Sequence, residues 1–319
     1  MSALLAIEGL TVSFPAGRAR ARVIEDVGFA IGHGEIVALV GESGSGKSVT
    51  ALATMRLLAP TARRESGAIR LDGEDLAALP AEAMRARRGR ALAMVFQEPM
   101  TSLNPLFRAG FQIGEALEAH LGIPRREARA RAIGLMRAVG IPAPERRVDD
   151  HPHQLSGGMR QRVMIAIAIS CEPRVLVADE PTTALDVTIQ AEILELLREL
   201  RERDGMALLL ITHDLGVVAE QADEVAIMYA GRIVEQAPVT DVFDRPLHPY
   251  TQALLRSMPG VAVDRGRLAP VPGTVPDLLH LPSGCAFRDR CPLAIEACAA
   301  AVPPLEDKAA GHRAACIRV

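Results

Sequence analysis

The segment that most restricts this chain is Gly41-Glu42-Ser43-Gly44-Ser45-Gly46-Lys47-Ser48, set between the apolar run EIVALV and a second apolar stretch. It matches G-x-x-x-x-G-K-[ST], whose glycines let consecutive backbone N–H groups curl around an anion. The motif has that meaning only when a buried strand precedes it and a helix follows, because the helix N-terminus adds its positive dipole end. Accepting it therefore commits the chain to an α/β strand–loop–helix unit. The plainer alternative is a Gly/Ser-rich turn. Composition bears on the choice: of 36 basic residues, all but Lys47 and Lys308 are arginine. A lysine kept here fits a place where a compact ammonium is needed and Arg's planar fork is not equivalent.

Other features place the loop in a larger frame. The 319 residues are 49% hydrophobic and 24% charged, the balance of a folded globular protein with room for a large α/β domain and an appendage. A net charge of -3 argues against a broad basic surface for nucleic acid. RARRGR at 85–90 reads as a solvated face in an arginine-biased chain. No run approaches the roughly 18 apolar residues of a membrane span, and MSALLAIEGLTVSF lacks the pattern of a signal peptide, so the expectation is a cytosolic chain. LAIEGLTVSF, VGFAI and EIVALV read as strands. Beyond them AMVFQ, VLVAD, ALLLIT and EVAIMY alternate with the helical patterns RREARARAIGLMRAVG and AEILELLRELRER. Short buried strands alternating with helices predict a mainly parallel sheet covered on both faces. From about residue 236 prolines and turn signals replace periodicity. The tail reads as a loop-rich appendage rather than a continuation of the sheet, in need of a covalent or metal staple.

Two more segments carry chemistry. VLVADE ends in adjacent carboxylates, Asp179 and Glu180; the first can hold Mg²⁺ and the second can polarise a water, though such a pair is often only a solvated strand end. Leu155-Ser156-Gly157-Gly158-Met159 opens an apolar helix, either as an anion site or as a simple N-cap with a flexible turn.

In this order across residues 41–214, these residues resemble the ATP-binding cassette (ABC) ATPase family. The resemblance implies an ABC-type P-loop NTPase over residues 1–235. Its mainly parallel sheet core would carry an antiparallel β subdomain and a helical subdomain at approximately 98–170, with the small extension at 236–319. It also implies ATP and Mg²⁺ as ligands. ATP would lie against Gly41, Ser43, Gly44, Ser45, Gly46, Lys47, Ser48 and Thr50, with Lys47 on phosphate. Ser48, Gln97 and Asp179 would serve Mg²⁺. The catalytic residues would be Glu180 as base, His213 on the γ-phosphate and Gln97 near the water. In a head-to-tail dimer, Ser156, Gly157 and Gly158, with Asp186 of Ala184-Leu185-Asp186, would serve the ATP of the opposite subunit. Phe14 is the candidate to stack on adenine, with a place in the strand core as its alternative.

Within that family, a single cassette without a coiled-coil insert or fused membrane domain fits an importer subunit. Glu98-Pro99-Met100-Thr101-Ser102-Leu103-Asn104-Pro105-Leu106 and Pro246-Leu247-His248-Pro249-Tyr250-Thr251 are similar to dipeptide and oligopeptide importer ATPases. That likeness implies two integral-membrane permease subunits, a second similar ABC ATPase, an extracytoplasmic solute-binding protein and no nucleic acid. It implies a peripheral place on the cytoplasmic face of the cell (inner) membrane. Nickel, glutathione or another small solute is the alternative cargo; a soluble ABC protein acting on nucleic acid or ribosomes, and a regulatory subunit with weak hydrolysis, are alternative roles. Cys285-x5-Cys291-x6-Cys298-x17-Cys316 lacks the short pairs usual for zinc, and the cytosol disfavours disulfides. The choices are an iron–sulfur cluster, zinc or unliganded thiols. The resemblance to peptide-importer tails implies a [4Fe-4S] cluster stapling the extension.

Overall fold

The computed structural model describes residues 3–183, 185–258 and 271–319. In chain order its strands are β1 (Leu5–Ala16), β2 (Ala19–Ile31), β3 (Ile36–Val40), β4 (Arg63–Leu71), β5 (Glu74–Asp75) and β6 (Leu92–Val95). Then come β7 (Val175–Asp179), β8 (Ala207–Thr212), β9 (Glu224–Tyr229), β10 (Arg232–Pro238), β11 (Glu306–Ala309) and β12 (His312–Ala314). The chain forms two compact units, Met1–Ala77 with Ile211–Val319, and Ala78–Leu210; β8 carries the chain from the second back into the first.

In the first unit β1 and β2 form an antiparallel hairpin closed at Ala16 and Ala19, with Gly17 at φ +60° in the turn. β4 and β5 complete that sheet in the order β2-β1-β4-β5. A second group runs β11-β12-β10-β9-β3. Its β3 lies parallel to β9, and every residue of IVALV is buried, as a strand covered on both faces requires. The first backbone N–H of β3 donates to the Asp223 carboxylate at 2.8 Å, which sets its start against β9. The helix Lys47–Thr54 follows β3 directly after the glycine-rich loop.

In the second unit β6 and β7 pair in parallel from Leu92 opposite Val175 to Val95 opposite Ala178. Helices Ala109–Leu121, Arg125–Ala138, Gly157–Ile169 and Val187–Asp204 belong to it. Their ends follow local rules: Asp186 caps the last of these by accepting the Ile189 N–H at 3.0 Å, and Gly205 stops it in a left-handed conformation. Pro124 precedes Arg125–Ala138, where Arg131 pairs with Glu127 one turn away. Among the described residues, no helix is long and apolar enough to cross a membrane.

The tail departs from the sequence expectation that it does not continue the sheet. β12 pairs antiparallel with β10, and β11 pairs with β12. EDKA and HRA are too short and polar to show a strand period, and a buried contact helps to hold the register. Glu235 of β10 is fully buried and accepts from the backbone N–H groups of Leu247 and His248, at 2.8 Å each. His312 of β12 meets the same carboxylate at 2.7 Å. Beside this lies an aromatic cluster containing both tyrosines of the chain. Tyr229 and Tyr250 are 4.6 Å apart, and Phe287 is 5.2 and 5.4 Å from them. All three are almost completely buried, and each such pair adds about 0.5–1.5 kcal/mol beyond its area.

Candidate functional site

The phosphate loop belongs to the first unit, and its glycines are dictated by close approach. A Cβ on Gly41 would lie 2.2 Å from the Met228 carbonyl oxygen and 2.8 Å from Ser45 Oγ. Gly46 stands at φ +107°, with Ile24 Cγ2 only 2.6 Å from where its Cβ would be. The loop is thus drawn against β2 and β9, while Ser43 and Gly44 form an exposed crest. Lys47 is buried beneath the crest, its Nζ donating to the carbonyls of Gly41 at 2.7 Å and Glu42 at 3.0 Å. Thr50 Oγ1 donates to the Gly46 carbonyl at 3.1 Å, tightening the first helical turn. Ser45 Oγ is buried without a hydrogen-bond partner, a rare and costly state for a native hydroxyl. A buried ammonium, an orphaned hydroxyl and the start of a helix under an open crest fit an anion held on the loop. Ser48 lies half-buried in the first turn.

Glu42 is gripped from the C-terminal extension. Its backbone N–H donates to Tyr250 Oη at 3.0 Å. Its carboxylate takes both arms of Arg290, at 2.6 Å from Nη1 and 3.0 Å from Nη2. Desolvation pushes the Tyr250 phenol well above its ordinary range, so it stays a neutral hydroxyl. Tyr250 is the second residue of the helix Pro249–Arg256, where His248 is the N-cap: the His248 Nδ1 accepts the Tyr250 N–H at 3.1 Å. Burial lowers the His248 pKa to about 4, keeping that nitrogen's lone pair available.

His213 is exposed just after β8, ahead of Asp214, whose carboxylate caps the next helix by accepting from Gly216 and Val217. Phe14 is half-buried near the β1–β2 turn, paired with Ala21.

The second unit holds the adjacent carboxylates. Asp179 is buried at the end of β7. Glu180 turns out of the strand at φ +46°, a left-handed conformation that non-glycine residues rarely adopt and that concentrates at functional positions. Two donors orient its Oε2: Gln97 Nε2 at 3.1 Å and Thr183 Oγ1 at 2.8 Å. Ser156 caps Gly157–Ile169 by accepting the Met159 N–H at 3.3 Å. A Cβ on Gly158 would come within 2.8 Å of Ile189 Cγ2, so Gly158 packs against the helix that Asp186 caps. Ala184 lies outside the described residues. The structure thus joins Gln97 to Glu180 in the second unit and gathers Gly41, Ser43, Gly44, Ser45, Gly46, Lys47, Ser48 and Thr50 in the first. Sequence reasoning missed Thr183, which only its place three residues after Glu180 could have suggested. It missed Arg290, indistinguishable among so many arginines.

The cysteine expectation is corrected. Cys285, Cys291, Cys298 and Cys316 are free thiols. Among the described residues, no group of three or more His, Cys, Asp or Glu side chains is arranged to hold a metal ion. Burial is the leading influence on Cys285 and Cys291 and pushes both thiols up, away from the thiolate that iron or zinc binds. The [4Fe-4S] assignment and the iron–sulfur and metal-binding descriptions therefore fall. The extension is stapled instead by its aromatic cluster, the Glu235–His312 contact and the Glu42–Arg290 pair.

Comparisons with known proteins agree with this architecture. Residues 24–183 match the family model described as ABC transporter, and residues 234–298 match that of the oligopeptide/dipeptide transporter C-terminal region. A protein of Brucella abortus (strain 2308) is 55% identical over 99% of this chain and 97% of its own length. The dipeptide transport ATP-binding protein DppD of Escherichia coli (strain K12) is 49% identical over 98% of this chain and 96% of its own. Among solved structures, a dimeric bacterial ABC transporter cassette is similar at TM-score 0.67 and 28% identity, covering 74% of this chain and 98% of that one. A dimeric ATP-binding cassette in a post-hydrolysis state with ADP and phosphate gives TM-score 0.66 and 27% identity over 74% and 98%. The chain belongs to the ABC transporter family, with the α/β fold of its ATP-binding cassettes and the C-terminal region of its oligopeptide/dipeptide branch.

Proposed function

We propose that this chain is the ATP-hydrolysing subunit of a peptide importer. It would work with two permease subunits, a second ABC ATPase and an extracytoplasmic binding protein, on the cytoplasmic face of the inner membrane. One observation carries the reading: the likeness to DppD runs through the whole chain, cassette and extension alike. The relatives' names favour peptides over nickel, glutathione or nucleic acid as what the complex handles. Residues 1–235 are assigned to the ATPase and 236–319 to the extension.

Each residue's role follows from its chemistry. Lys47 and the loop amides bind phosphate, with Ser45 Oγ an additional donor. Ser48, Gln97 and Asp179 would each offer an oxygen of the kind that suits Mg²⁺, and the ion when bound would neutralise phosphate charge. Glu180, oriented by Gln97 and Thr183, accepts the proton of the attacking water. His213, exposed after its strand, donates to the γ-phosphate. Ser156, Gly157, Gly158 and Asp186 serve the nucleotide of the opposite subunit, in a dimer like the cassette that held ADP and phosphate. Phe14 stacks on adenine.

Replacing the proposed base tests this. Glu180→Gln in the reconstituted transporter lowers kcat by about 10³-fold while ATP still binds, the scale of a general base. Hydrolysis at the unmutated rate would remove Glu180 from the mechanism. Failure of the tagged chain to retain permease proteins in detergent would remove the importer.

A further inference from the structure

We propose that Arg290 and Tyr250, both of the C-terminal extension, are positioning residues for the nucleotide, acting through Glu42 to set the affinity of the phosphate loop. The inference rests on the reading of Gly41–Ser48 as the cradle for ATP phosphates. Glu42 is held at every polar group it has. Tyr250 Oη accepts its N–H, Arg290 takes its carboxylate, and its carbonyl accepts from Lys47 Nζ at 3.0 Å and from the Ser45 N–H at 3.2 Å. The peptide that meets the loop lysine is therefore fixed from the tail.

Arg290 is built for such a task. Its side chain is only 6% exposed, unlike the arginines of the surface pairs. Nε donates to the Pro272 carbonyl at 2.6 Å, Nη2 also reaches the Val271 carbonyl at 3.3 Å, and Nη1 reaches Tyr229 Oη at 3.4 Å. The guanidinium carbon lies 5.7 Å from the centroid of the Tyr229 ring and 5.9 Å from that of Phe287. A bidentate guanidinium held on its remaining edges presents one geometry to Glu42.

Charge gives the arrangement its functional sense. Glu42 puts a carboxylate in the second position of a loop that receives phosphates. Uncompensated, that carboxylate repels the ligand; paired with Arg290 its charge is balanced. The pair also pre-orders the loop, so less ordering remains to be done when the anion arrives.

The full-length chain is the test material, with MgATP binding followed by calorimetry and hydrolysis by steady-state kinetics. Arg290→Gln raises Kd and KM for MgATP about tenfold, while kcat stays within about twofold. The double variant Glu42→Gln/Arg290→Gln recovers most of that loss, because the stranded carboxylate is gone. A purely structural role would give a double variant no better than the single. Tyr250→Phe, which keeps the ring and removes the acceptor, weakens MgATP about threefold. Unaltered affinity in Arg290→Gln, or a double variant as weak as the single, overturns the proposal. If circular dichroism shows that Arg290→Gln does not fold, Tyr250→Phe decides, and unchanged affinity there overturns it. Retention of MgATP by Lys47→Ala would overturn the phosphate-loop reading instead, which separates the two failures.

Discussion

The phosphate loop and the C-terminal extension are parts of one unit held in opposite ways. The loop is shaped by backbone: Gly41 and Gly46 are where they are because a Cβ would strike a carbonyl oxygen or a packed methyl. The extension is held by side chains, with Arg290 and Tyr250 of its own and Glu235 and Tyr229 of the preceding strands each satisfying several neighbours. Backbone constraints announce themselves in a sequence as glycines at set spacing. Side-chain clamps between distant residues carry no spacing at all.

The largest expected effect breaks the clamp. Glu235→Ala strands His312 and two backbone N–H groups in a dry interior and lowers stability by about 4 kcal/mol, read by chemical denaturation. An effect below about 1 kcal/mol would show that water or neighbours replace the carboxylate and that the extension is held otherwise. Next comes the loop. Gly41→Ala forces Cβ against the Met228 carbonyl and costs at least about 3 kcal/mol, with loss of MgATP binding. Gly44→Ala, whose Cβ would have nothing within 4 Å, costs only the strain of its φ of +78°, about 1 kcal/mol. Equal costs at the two glycines would deny that steric approach distinguishes them.

Acid sharpens the contrast further, because it acts on the extension first. His248 has a folded pKa of about 4, below its ordinary 6.5. Between those values the unfolded chain takes up a proton that the folded chain refuses, so stability falls as pH drops from 6.5 towards 4 and is flat above 6.5. The loss reaches up to about 3 kcal/mol at the acid end. His248→Asn keeps an N-cap acceptor without titrating, and urea unfolding across this range shows a shallower slope for it. An identical slope would clear His248.

The same contrast explains what could be read beforehand. β3 is a wholly apolar five-residue run followed by glycine, β7 is an apolar run that ends in Asp179, and the α/β cassette fold follows from them and from the loop between β3 and its helix. Glu180 was legible as a carboxylate at a strand end, but its left-handed backbone and its tie to Thr183 depend on tertiary packing that no spacing encodes. β11 and β12 were illegible because strands of four and three residues have no period to detect. The cysteines misled because four thiols in one segment specify ligand type. They do not specify how the thiols are arranged or the charge that burial permits.

The grip of Arg290 on Glu42 joins residues 248 positions apart. During synthesis at about 5–20 residues per second, roughly 10–50 s separate the emergence of one from the other. Until then the nascent loop carries an unbalanced carboxylate and lacks its outer brace. If the clamp sets the loop's affinity as proposed, a ribosome-bound cassette is a poor ATP trap, and competence to engage the nucleotide arrives late, as the extension is translated.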